Sequence, residues 1–92
     1  MLPAVMRCNK PTNAERQALV AAAIGRAGED AGTVLDTFIA ELGMPRSLAA
    51  VKVGPESFER IANGAMDTPW VPRNPRPIDS PAQFREILEL AA

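Results

Sequence analysis

The chain has 92 residues, ten Lys and Arg against eleven Asp and Glu, one cysteine and no histidine. That length suits one small domain, and a lone Cys8 excludes an internal disulfide and fits a reducing compartment. Balanced, interspersed charge without a Lys/Arg cluster excludes an electrostatic surface for nucleic acid or anionic membrane.

Residues 1–8 are apolar and read as the end of a buried helix cut from something longer, or as a segment packed onto a bundle, with a turn at Asn9-Lys10-Pro11. Thr12-Asn13-Ala14-Glu15 has the form of a capping box, in which Thr12 accepts from the Glu15 amide and Glu15 reaches back. The helix it starts should run to about Arg26, with Leu19, Val20, Ala23 and Ile24 on its buried face. Gly25, Gly28 and Gly32 do not form a phosphate-binding spacing and have no strand before them, so they read as helix termination.

A second helix is expected from about Ala31 to Leu42. Val34, Leu35, Phe38, Ile39 and Leu42 make one stripe on it, and Gly43 and Pro45 stop it. Ser47 to Val51 suits one short turn. Ala50-Val51-Lys52-Val53 is the only weak strand candidate. Gly54-Pro55 restarts the chain into a third helix to about Met66, burying Phe58, Ile61, Ala62, Ala65 and Met66. Ser80-Pro81-Ala82-Gln83 is a second capping box, opening a last helix with Phe84, Ile87, Leu88 and Ala91 on one face. The fold class is all-α: a small bundle of four to five helices over residues 1–92.

Between the last two helices lies a proline-rich loop, residues 67–79. Trp70-Val71-Pro72-Arg73-Asn74-Pro75-Arg76-Pro77-Ile78 holds three prolines, two arginines and the only Trp. Proline fixes its own φ and pushes the preceding residue towards extended geometry. The segment is expected to be stiff, extended and polar, a form suited to lining a cleft.

Four segments in order resemble the C-terminal part of iron-containing alcohol dehydrogenases. Leu2-Pro3-Ala4-Val5-Met6-Arg7-Cys8-Asn9 resembles their Leu-Pro-x-Val-Met-x-x-Asn helix end. Ile39-Ala40-Glu41-Leu42-Gly43-Met44-Pro45-Arg46-Ser47-Leu48 is similar to their Leu-Gly-Leu-Pro-x-x-Leu linker. Val51-Lys52-Val53 with Phe58-Glu59-Arg60-Ile61-Ala62 looks like the next linker and helix. Asn74-Pro75-Arg76-Pro77-Ile78 with Phe84-Arg85-Glu86-Ile87-Leu88 looks like the terminal loop and helix. Maleylacetate reductases share this pattern. The resemblance covers nearly all of this chain but only about the last quarter of such an enzyme.

The resemblance implies an NAD(P)-dependent oxidoreductase with an N-terminal nucleotide-binding domain and a helical domain holding iron or zinc through one Asp and three His. All of those ligands and the nucleotide turn would lie before Met1. No cofactor is then expected in this chain, which should be inactive alone. Carried over by position, Trp70 and Val71 would wall the substrate pocket of an intact enzyme, with Trp70 setting its size.

The residues themselves leave alternatives open. Trp70 can equally anchor the loop on a core short of large side chains. Arg73 and Arg76 can attract an anionic substrate or pair with carboxylates. Asn74 reads best as fixing the loop through side-chain to backbone hydrogen bonds. No catalytic residue emerges: Cys8 and Ser47 lack a histidine base, and no donors converge on a metal. Alanine supplies much of the apolar content and aromatics are few, so the core should be thin. Association is expected, as a homo-oligomer or with a missing nucleotide-binding part. The alternative function is a non-catalytic self-association or interaction module. No stretch reaches transmembrane length and residues 1–6 are too short for a signal peptide, so the expected location is cytoplasmic.

Overall fold

A computed structural model describes residues 1–92. It contains four α-helices and no strand: α1 (Leu2–Ala23), α2 (Ala31–Glu41), α3 (Phe58–Ala65) and α4 (Pro81–Ala91). Short 3₁₀ turns lie at Ala49–Val51, Pro55–Ser57 and Val71–Arg73. The helices pack chiefly in the order α2, α1, α4, α3.

The N-terminal segment differs from the sequence expectation. No turn forms at Asn9–Pro11, and the helix continues through Pro11 to a kink at Asn13 (φ −131°, ψ 32°). Proline removes one helical hydrogen bond and crowds the turn before it, yet that turn stays helical and the break falls two residues further on. Gln17 spans the kink, donating from Nε2 to the Met6 carbonyl (2.7 Å) and to Asn13 Oδ1 (2.8 Å). Thr12 caps nothing; the helix starts after Met1. The expected buried face of its second half is also corrected. Leu19, Val20 and Ile24 are exposed, while Gln17 and Ala21 are buried.

The two glycine stops are well formed. At Gly25 (φ +85°) and Gly43 (φ +72°) the chain turns left-handed, where a side chain would be strained. Each helix closes with a pair of Schellman hydrogen bonds: Gly25 N to Ala22 O and Arg26 N to Ala21 O, then Gly43 N to Ala40 O and Met44 N to Ile39 O. α1 ends at Ala23, before the expected Arg26.

α2 begins at an N-cap absent from the sequence reading. Asp30 Oδ2 accepts from the Thr33 backbone N–H (3.0 Å) and hydroxyl (2.9 Å). Its other oxygen accepts from Lys10 of α1, so one carboxylate both caps α2 and ties it to α1. The two helices approach through the small buried residues Ala21, Ala31 and Gly32. The apolar stripe expected to be buried on α2 is covered only in part: Val34, Leu35 and Ile39 are half-buried, and Phe38 and Leu42 are exposed.

Two small cores flank α4. Ile87 and Ala91 pack with Ala4 and Cys8 of α1 and with Ile78. Leu88 packs with Phe58 and Ala62 of α3. Ile61, Ala65 and Met66, expected inside, are half-buried. Ser47 Oγ accepts from Ala50 N (3.1 Å), giving the expected short turn. Lys52 follows in the left-handed region (φ 62°), so the weak strand candidate is overturned. Leu48 N donates to the Ala91 carbonyl (2.8 Å), binding this connection to the end of α4.

The Asp30 carboxyl is pulled from 3.8 down to about 2, chiefly by the Lys10 hydrogen bond and then by the Thr33 bonds. A carboxyl with a depressed folded-state pKa contributes stability above its unfolded pKa and loses it as pH falls towards the folded value. Stability should therefore decline as pH falls from about 4 to about 2, and decline less in Asp30→Asn, which keeps the cap but not the charge. Denaturant titrations across that window check this.

Candidate functional site

Residues 67–79 connect α3 to α4 and form the most elaborately hydrogen-bonded part of the surface. Thr68 Oγ1 donates to the Ala65 carbonyl (2.8 Å), continuing from the end of α3. The segment is not extended throughout, as the prolines had suggested. Pro72 stands at the start of the Val71–Arg73 turn, where its fixed φ suits a helical turn. Arg73 N donates to Trp70 O (3.0 Å) and Asn74 N to Val71 O (3.1 Å). Extended geometry begins at Asn74 (ψ 140°), the residue before Pro75.

Trp70 is 72% exposed, which removes the reading of its ring as a core anchor. Anchoring falls instead to Val71, half-buried against the α1–α4 core, and to Ile78 within that core. The loop thus holds itself down by aliphatic side chains and presents its largest ring to solvent.

Polar contacts fix the loop to α1. Asn9 Nδ2 donates to Asn74 Oδ1 (3.0 Å) and Asn74 Nδ2 donates to Asn9 Oδ1 (2.6 Å), a reciprocal carboxamide pair. Asn74 Nδ2 also donates to the Arg76 carbonyl (2.7 Å), the loop-fixing contact expected of it. Arg76 donates from a guanidinium nitrogen to the Cys8 carbonyl (3.2 Å). Asn9 was read from sequence only as part of a turn. Its one signal was its place at the end of the Leu-Pro-x-Val-Met-x-x-Asn resemblance.

Neither arginine pairs with a carboxylate. The five ion pairs involve Arg7 and Arg46 with Asp36, Lys10 with Asp30, Arg26 with Glu29, and Arg85 with Glu89. Arg46 holds the Asp36 carboxyl below the usual range by a bidentate hydrogen bond, tying the connection after α2 back to that helix. Arg73 is exposed and without a partner, free to meet an anion. Beside Arg76 lies a cavity of about 90 Å³ lined by Cys8, Arg76, Pro77, Ile78, Gln83 and Glu86.

No three His, Cys, Asp or Glu side chains converge. With no imidazole and one buried thiol, these residues do not fit the donor set of an iron or zinc centre. No Ser–His or Cys–His pair can form, so the site can wall and orient but supplies no nucleophile–base couple.

The family model for the C-terminal part of the Fe-containing alcohol dehydrogenase family matches residues 1–92. The chain belongs to that family. Its all-helical architecture agrees with the fold that the resemblance implied. No curated protein and no solved structure matches the chain. No helix is long and apolar enough to cross a membrane.

Exposure of Trp70 has a measurable consequence. Trp70→Ala should change the free energy of unfolding by less than about 0.5 kcal/mol, as surface substitutions do. Phe58→Ala, at a fully buried ring, should cost about 3–5 kcal/mol. Urea titrations followed by circular dichroism compare the two.

Proposed function

We propose that this chain forms the C-terminal helical part of an NAD(P)-dependent alcohol dehydrogenase-type or maleylacetate reductase-type oxidoreductase. In this reading it contributes Trp70 and Val71 to the substrate pocket and contributes nothing to the metal centre. The observation that carries it is a family match over residues 1–92 in a chain whose donors fit no such metal. A large ring exposed on a braced loop supports it further, because aromatic side chains offer much contact area at little entropic cost.

Trp70 limits the room for substrate, Val71 holds the base of the turn on the core, and Arg73 draws in an anionic substrate where one is used. Hydride transfer needs a nicotinamide and a metal held by residues other than these, so the chain alone is inactive.

The exposed apolar side chains of α1 and α2 favour a second reading, a non-catalytic module that self-associates. Ile24, Val34 and Phe38 line part of a groove of about 470 Å³ beside the α1–α2 connection. Native mass spectrometry of the protein from its own host separates the readings. Co-assembly with a nucleotide-binding chain carrying metal-ligating histidines supports the oxidoreductase, and a homo-oligomer supports the module.

Two outcomes are expected. Ferrous or zinc ion should leave the Tm of the isolated chain unchanged, because a ligand that binds the native state must stabilise it. A saturable rise would expose a site that the donor arrangement does not show. In an assembled enzyme, Trp70→Ala should raise kcat/KM for a bulky substrate relative to a small one by about tenfold or more, the scale of a remodelled apolar pocket.

A further inference from the structure

The braced loop can be followed one residue further back, to a side chain that touches no pocket. Asn9 lies on α1 and is 6% exposed. A buried carboxamide is costly unless its donors and acceptor are paired. Here the pairing is made almost entirely by one partner, Asn74, sixty-five positions along the chain. Arg76, two residues on, bonds the carbonyl of Cys8, the residue before Asn9. The Asn74 amide closes onto the Arg76 carbonyl, so both attachments belong to one rigid unit. That unit passes its orientation to Trp70 and Val71 through the two turn hydrogen bonds that end at Arg73 and Asn74.

Core packing alone does not account for this arrangement. Val71 and Ile78 already hold the loop by apolar contact, and a leucine at position 9 would serve packing without the demand for a matched partner. What the amide pair adds is a fixed direction, because its two antiparallel hydrogen bonds are satisfied at one relative orientation only. Trp70, whose backbone carbonyl belongs to this turn, is solvent-facing and gains no burial by being held still.

We propose that Asn9 is a positioning residue: through its reciprocal amide pair with Asn74 it sets the placement of Trp70 and Val71, and thereby the substrate preference of the enzyme. This rests on the reading that those two residues face substrate, and it adds a specificity determinant outside the pocket.

Trp70 is the only tryptophan, so its fluorescence reports the loop without a label. Time-resolved anisotropy is measured on the 92-residue chain with Asn9→Leu, which keeps the branching at Cγ and removes both hydrogen bonds. The amplitude of the fast local component should rise about twofold or more, loop motion of this kind falling in the nanosecond range. Asn74→Leu should match it, and the double variant should be no looser than either single one, as for a coupled pair. Phe58→Leu, which weakens the other core, should lower the Tm without loosening Trp70.

Should the leucine variants fail to fold, the unaltered protein still decides the matter. The side-chain amide protons of Asn9 and Asn74 should exchange at least about tenfold more slowly than those of exposed Asn63. Equal exchange, or unchanged anisotropy in folded Asn9→Leu, overturns the inference and leaves the functional reading intact. In the assembled enzyme Asn9→Leu should shift substrate preference in the same direction as Trp70→Ala. A loosened Trp70 with substrate preference unmoved by either substitution overturns the pocket reading, and with it the role given to Asn9.

Discussion

The fold depends on two neighbouring residues of α4 facing different ways. Successive side chains on a helix lie about 100° apart. Ile87 accordingly meets Ala4 and Cys8 of α1, while Leu88 meets Phe58 and Ala62 of α3. α4 is therefore the joint between the two halves of the chain, although it comes last in sequence. The proline loop is assembled around the same joint, since Ile78 enters the Ile87 core and Val71 packs against it. The linker after α2 is fastened there too, through Leu48 and the Ala91 carbonyl.

A row of helices, each touching one or two neighbours, is a thin object. The molecule measures 38 by 29 by 17 Å, and its radius of gyration of 13.9 Å exceeds the roughly 12 Å of a well-rounded chain this long. A single layer can bury the flanks of its helices but not their faces. This is why Phe38 and Leu42 of α2 and Leu19 and Val20 of α1 stand in solvent. It also makes polar fastening unusually important. Asp30 with Lys10, Asp36 with Arg46, and Asn9 with Asn74 each add a polar tie between segments of this layer.

Features encoded within a few residues were legible in the sequence. The glycine stops at Gly25 and Gly43 belong to this class. So does Gln83, whose side chain accepts from the Ser80 backbone N–H (3.2 Å) in the expected capping box. Readings failed where distant parts of the chain decided the outcome. Thr12-Asn13-Ala14-Glu15 has the local form of a helix start, and the helix does break at Asn13, but without the Thr12 cap and without the turn expected at Asn9–Pro11. The stripe from Val34 to Leu42 has the right period, but periodicity names a face without guaranteeing a neighbour for it. Of the candidate site, Trp70, Val71, Asn74 and Arg76 could be singled out by their composition. Their brace could not, since no local pattern pairs an asparagine on the first helix with one sixty-five positions later.

The kink in α1 divides the longest helix between two neighbourhoods. Its first half is clasped by α4 and the proline loop and also meets α2, whose Gly32 lies against Pro3 and Arg7, while its second half takes no part in either core. Amide hydrogens before the kink are protected by more neighbours than those beyond it. Length is thus a poor guide to durability here. The turns before Asn13, held from several sides, should outlast in hydrogen exchange the turns beyond it, although both are counted in one helix.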